Sequence, residues 1–433
     1  MPHFHFFADS IGSASFDMST DGSARTFVDT DVTIANDSGI TVIGDAGYQN
    51  VNVHGTVWST SNAVSLQGNY SSVLVGQTGK LTNSNYGDYA ALVLSGYHSL
   101  VTNSGEISGT IGAWIGGTQS QVINHGTMTG HGQGYYYYNA ALVFYIDSEV
   151  TSAPTENHKA SVTNFGSMSG VSYSYYGELS AVAIEDRSST YTIDGAGTTT
   201  WATDVSVFNH GDIHGRILLK QGNDLVVNSG IIVGDVEMGN DNDTYRGRRD
   251  GFVDGDIEGE AGNDKLIGAS QADTMLGGAG NDTLRGAGGD DDLRGDNGND
   301  KIWGGSDDDY LNGGSGKDTL LGNLGDDTLL GGGGNDTLNG GRGDDTLTGG
   351  GGADRFVFKR DAGNDVITDF VDGSDKINLS AYGLSGFSDI STALALQSAG
   401  GDVVLDLDAL GGSGSVIIEN TLIGNFSGSD FIF

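Results

Sequence analysis

The 433-residue chain has no cysteine, two prolines, and 19 lysines and arginines against 57 aspartates and glutamates. Without cysteine it can form neither a disulfide nor a thiolate metal site, so a fold exposed outside the cell needs some other staple. A formal charge of −38 repels other polyanions; it argues against nucleic acid and anionic membrane surfaces and makes cations the natural partners. No apolar run is long enough for a transmembrane segment. Residues 1–16 lack a basic n-region, and their longest apolar run is Phe6 to Ala8, so they do not read as a cleavable export signal. An exported chain of this kind is expected to carry its address elsewhere.

What the chain has in excess is glycine, 74 residues, much of it in a strict period. From Gly259 to Val357 the sequence divides into eleven consecutive blocks of nine without insertion or deletion. The blocks beginning at Gly277, Gly331 and Gly340 all fit G-G-x-G-x-D-x-U-x, with U apolar. The sixth residue is always aspartate: Asp264, Asp273, Asp282, Asp291, Asp300, Asp309, Asp318, Asp327, Asp336, Asp345 and Asp354. The eighth is always apolar, running from Leu266 and Met275 to Leu347 and Phe356.

Each position has a chemical reason. Glycines at the first, second and fourth positions permit positive φ and expose carbonyls, which together with the aspartate supply the hard oxygen ligands that calcium prefers. The last three residues make a short strand with its central side chain inward. Two blocks then form one turn. Stacked turns sort the aspartates into two ladders, one starting at Asp264 and the other at Asp273, with several calcium ions (Ca2+) held between turns. Gln271 and Asp307 stand where a fourth-position glycine is expected and weaken the pattern locally. Stacked carboxylates without a cation repel one another, so this segment is expected to be disordered without calcium and folded with it.

These blocks resemble the RTX nonapeptide-repeat proteins of Gram-negative bacteria. The resemblance implies a calcium-binding parallel β-roll, export by the type I secretion apparatus through an uncleaved C-terminal signal, and folding in an extracellular location. The terminal Asp430, Phe431, Ile432 and Phe433 resemble the end of RTX proteases of the serralysin group, where that end belongs to the export signal. The strand-like stretches 365–370, 373–380, 403–407 and 416–418 are read as a β cap closing the roll.

The first half carries a looser repeat, V-x-N-x-G-x-U-x-G, starting at Val101, Val122, Val162, Val207 and Val226, with degenerate copies at Val51 to Ser59 and Val75 to Asn83. Coils of about twenty residues bent at Asn-x-Gly fit a right-handed parallel β-helix, with Asn103, Asn124, Asn164, Asn209 and Asn228 stacked in one bend. The pattern resembles β-helical passengers of surface adhesins and, more distantly, polysaccharide-active β-helix enzymes. The expected class is therefore all-β: an N-terminal cap (1–50), a parallel β-helix (51–240), a transition (241–258), the roll (259–357), and a cap with secretion signal (358–433).

No catalytic constellation is found; H-E-x-x-H is absent, which removes the protease member of the family. His210, Asp212 and His214 alternate as metal ligands on one strand would, but they read as surface residues at a bend. Tyr135 to Tyr138 with Tyr173, Tyr175 and Tyr176 suit either a sugar-stacking platform or ordinary packing, and Glu178, Glu185, Asp186 and Arg187 have no spacing tied to a reaction. Two functions remain open: a calcium-dependent extracellular scaffold or adhesin-like protein, with a polysaccharide or cell surface as partner, and a polysaccharide lyase or C5-epimerase.

Overall fold

In the computed structural model, residues 49–433 are described apart from 68, 84–89, 97, 117–118, 131–139, 146–158, 171–181, 188–189, 194–196, 201–203, 393–395 and 400; between residues 3 and 44 the backbone of six short strands is described. The protein is all-β, a parallel β-helix followed by a β-roll with a C-terminal β cap. It divides into two compact units, residues 1–240 with 252–255, and residues 241–251 with 256–433.

The first unit coils with three strands per turn, as in Leu100–Asn103, Glu106–Gly109 and Ile111–Gly116. Each strand pairs in parallel with its counterpart one coil on, so Val101 faces Val122 and Ile107 faces Met128. Alternation puts these side chains inward, where Val101, Ile107, Met128, Val162, Val207, Ile213 and Val226 are fully buried or nearly so. At the bend the five asparagines form a buried column. The Nδ2 of Asn103, Asn124, Asn164 and Asn209 donates to the next Oδ1 at 2.9, 2.8, 3.0 and 2.8 Å. The glycine two residues later is obligatory because coils touch there: a Cβ on Gly126 or Gly166 would run into the carbonyl of the glycine one coil earlier. The degenerate copy placed at Val75 is shifted by two residues. Val73 pairs with Val101, and Val75 takes the place of Asn103, so apolar side chains replace the amide column there.

The second unit has two strands per turn. Leu266, Leu284, Ile302, Leu320, Leu338 and Phe356 pair in series on one sheet, and Met275, Leu293, Leu311, Leu329 and Leu347 on the other. All eleven are fully buried and fill the gap between the sheets. Strands Asp361–Ile367 and Lys376–Asn378 add one more parallel turn, so this part of the expected cap continues the roll. Closure comes from the antiparallel strands Asp402–Asp406 and Ser413–Ile418, and from Phe431–Ile432 against Ile377 and Asn378. Phe370 packs tilted against Phe356 at the end of the core, stacks on Phe426, and Phe426 in turn meets Phe431.

Candidate metal centre

In each roll block the sixth-position aspartate ends the turn just before its strand, and in every block but that of Asp273 its carboxylate reaches back one full turn. Asp282 Oδ1 accepts the N–H of Asp264 at 2.7 Å, Asp300 that of Asp282 at 2.7 Å and Asp318 that of Asp300 at 2.8 Å. The opposite flank repeats this from Asp273 through Asp291, Asp309, Asp327 and Asp345 at 2.8 or 2.9 Å. All eleven aspartates are buried, and the two expected ladders form.

The ladders are also longer than the nonapeptide count. Asp243 donates its N–H to Asp264, Asp345 to Asp365 and Asp354 to Asp375. The signal was present, since Asn242-Asp243-Thr244-Tyr245 and Asn364-Asp365-Val366-Ile367 keep the N-D-x-U core of a block. They were missed because turn lengths of 21 and 20 residues break the period of 18.

The second carboxylate oxygen is different. The Oδ2 atoms of Asp264, Asp282, Asp291, Asp300, Asp309, Asp318, Asp327, Asp336, Asp345 and Asp354 are buried without a hydrogen-bond partner, a costly state for an acceptor-only group. Each lies beside the first-position glycine of its own block. A Cβ built on Gly259 would sit 2.6 Å from Asp264 Oδ2 and 2.5 Å from the Gly277 carbonyl oxygen; on Gly331 it would sit 2.7 Å from Asp336 Oδ2 and 2.6 Å from the Gly349 carbonyl oxygen. The first glycine therefore keeps open a cradle facing a carboxylate and a carbonyl of the next turn. It does not supply the positive φ expected of it; the second and fourth positions do, even where Glu260 (φ 67), Ala287 (φ 89), Asp296 (φ 68) or Asn323 (φ 84) replaces glycine.

The two irregular blocks behave differently. Asp307 keeps the left-handed fourth position at φ 80. In the block of Gln271, neither Ala269 nor Gln271 has positive φ, and Asp273 Oδ2 takes the N–H of Ala269 at 2.9 Å.

Burial, which disfavours the charged form, pushes these carboxyls up to about 6 at Asp264, Asp282, Asp300, Asp318 and Asp336. Asp291 and Asp327, on the other flank, rise to about 8 through burial and then through neighbouring carboxylates that include Asp290 for the one and Asp308 for the other. The fifth residues are Asn263, Asn281 and Asn299 on the first flank and Asp290, Asp308, Asp326 and Asp344 on the second, but the second flank is not uniform, since Asp309 and Asp345 rise only to about 6. Among the described residues no three acidic or imidazole side chains converge on one point. A cation would take one carboxylate oxygen with peptide carbonyls, an all-oxygen set that suits calcium.

The remaining candidates lie in the first unit. His210, Asp212 and His214 are exposed; His210 Nδ1 is 2.7 Å from Ser229 Oγ, and its ring stacks on Phe165, which stacks in turn on His125. Tyr135 to Tyr138, Tyr173, Tyr175, Tyr176 and Glu178 lie outside the described residues, and Glu185 to Arg187 are described only as backbone of the strand Val182–Arg187.

A two-sheet parallel roll with buried carboxylate columns beside glycine cradles defines a β-solenoid module. Residues 254–284, 285–320 and 321–356 match the RTX calcium-binding nonapeptide repeat, and this stretch of the chain belongs to that family. No curated protein matches the chain. Among solved structures it is similar to the AlgE6R3 subunit of the Azotobacter vinelandii mannuronan C5-epimerase (34% identity, 30% of this chain and 78% of that one, TM-score 0.25). It is also similar to the AlgE6R2 subunit of the same enzyme (25% identity, 38% and 92%, TM-score 0.20) and to the extracellular lipase LipA of Serratia marcescens (18% identity, 53% and 45%, TM-score 0.24).

Proposed function

We propose that the chain is a secreted, calcium-dependent scaffold or adhesin-like surface protein, in which calcium turns the roll from a disordered segment into a folded module. The observation that carries this reading is the set of ten buried Oδ2 atoms without a partner, each beside an open glycine cradle. Calcium is held there by the sixth-position aspartates and the carbonyls of the adjoining turns. Asp273 differs, because an ion beside it competes with the Ala269 N–H. The sites hold calcium at the concentrations found outside cells, where about 100 times the dissociation constant adds roughly 2.7 kcal/mol per site. A chain that folds only there crosses the envelope unfolded, which fits type I export with a signal in residues 358–433.

Calcium titration of the full chain, followed by circular dichroism and calorimetry, tests this. Gain of β signal with binding of several ions supports it; a roll already β-rich in chelator and unchanged by millimolar calcium would falsify it.

A further inference from the structure

The roll's two outer faces carry opposite charge. Strand register aligns the seventh and ninth residues of each block in columns that point away from the core. On the sheet built from the strands Thr244–Gly247, Lys265–Ile267, Thr283–Arg285, Lys301–Ser306, Thr319–Leu324, Thr337–Arg342, Arg355–Val357 and Lys376–Asn378, these columns hold Arg246, Lys265, Arg285, Lys301, Arg355 and Lys376, and no acid. None of the six makes an ion pair among the described residues, and Arg285 lies over the Trp303 ring at 4.8 Å. In the turns leading into this sheet the fifth positions are neutral or basic, Asn263, Asn281, Asn299, Lys317 and Asn335, with Glu260 and Asp296 as the acids at the second positions. The opposite face carries Asp256, Glu258 and Asp292, its Arg294 is bonded to Asp292 at 2.8 Å, and its edge holds Asp290, Asp308, Asp326 and Asp344.

We propose that the cationic sheet face binds a linear acidic polysaccharide. The whole-chain charge conceals this face, because the acids lie in the ladders and on the other side. Along the strand-stacking direction Lys265 and Lys301 are two strands apart, about 10 Å, with Thr283 between them. Thr319 and Thr337 continue that column, and Asn339 and Asn378 stand in the neighbouring one. Spaced cations interleaved with hydroxyls and amides match a polymer that spaces carboxylates among hydroxyls. A single indole gives no run of stacking platforms for the bases of a single-stranded nucleic acid. Beside Leu321 and Asn339 the face opens into a groove of about 390 Å³, where Lys359 and Arg360 stand next to an Arg342 paired with Asp361 at 3.1 Å. The proposal rests on the calcium-folded roll, since calcium both orders the sheet and offsets the flanking carboxylates.

The test uses the full chain with calcium at low ionic strength and three probes, namely hyaluronan, neutral dextran and single-stranded DNA. Hyaluronan is expected to bind, weakening as salt rises, and dextran not to bind. R285E with K301E should weaken hyaluronan binding about tenfold or more, whereas K317E, the same change off the face, should alter it less than about twofold. The milder pair K265Q with K301Q gives the same ordering with a smaller loss if the reversal disturbs folding. Equal binding by face and control variants, equal binding of dextran, or DNA bound as tightly as hyaluronan overturns the proposal. Calcium-dependent circular dichroism on each variant reports the roll separately, so failure of the calcium reading is distinguished from failure of the face.

Discussion

The first unit buries a column of asparagines at its bend, and the second buries two columns of aspartates at its turns, both within parallel-paired strands. An amide carries a donor and an acceptor, so Asn124 gives its N–H to Asn164 and accepts from Asn103 without outside help. A carboxylate has acceptors only. The backbone N–H of the preceding turn satisfies one oxygen, and the other has nothing to receive. Two closely related architectures thus differ in what completes them: the amide column closes on itself, whereas the carboxylate column leaves one oxygen per step open to an outside cation or proton.

The comparison breaks most readily on calcium removal. In chelator, backbone amides from 259 to 378 should lose hydrogen-exchange protection down to the unfolded level, while those of 101–116 and 205–232 keep theirs, a separation of several kcal/mol. Retained protection in the roll would show that its carboxylates are satisfied some other way.

The next effect is on pH. Carboxyls pushed up to about 6 at Asp300 and about 8 at Asp291 favour the protonated form of the folded state. Their stabilising contribution is therefore complete below the ordinary carboxyl range and is lost as pH rises through 6 to 8. In chelator, acidification from pH 8 to about 4.5 should restore part of the roll's β signal, and the asparagine unit should show no such dependence. A roll equally disordered at both pH values would count against burial as the cause.

How much of this was visible beforehand follows from the same difference. The roll was legible to the residue, because a period of 18 per turn leaves no freedom: sixth-position aspartates, eighth-position apolar residues and both ladders stood in the sequence. The extra members Asp243, Asp365 and Asp375 were hidden by turns of 21, 20 and 21 residues that keep the geometry but not the count. The asparagine column was legible from Asn-x-Gly, whereas the register at Val75 was not, because a longer bend before Lys80 moves the pairing without changing the alternation. The reason for the first glycine was invisible for another cause: a cradle between turns is a tertiary contact, and only φ can be argued from a single block.

Exchanging the two columns' chemistry sharpens the contrast. Asn164→Asp removes the donor to Asn209 Oδ1 at 3.0 Å and to the Asp212 carbonyl at 3.2 Å, and it places a carboxylate among buried acceptors. It should cost the first unit about 3 kcal/mol in denaturant unfolding, with or without calcium. Asp318→Asn should have opposite signs in two assays, weakening calcium binding while making the ion-free roll easier to order. Equal effects of both changes in chelator would erase the distinction between the columns.

The smallest expected effect concerns the outside of the same bend. Phe165 stacks between His125 at 4.8 Å and His210 at 5.0 Å, directly after Asn164, yet it is 49% exposed. Phe165→Ala removes two ring contacts and about half of a ring's burial, a loss of about 1 kcal/mol, well below the full cost of truncating a buried aromatic. Thermal unfolding in calcium should therefore show a small shift for Phe165→Ala and a large one for Asn164→Asp, one residue away. If the two shifts were equal, the exposed ring stack and not the buried amides would be setting the coil-to-coil register at this bend, and the self-completing column would lose its place in the comparison.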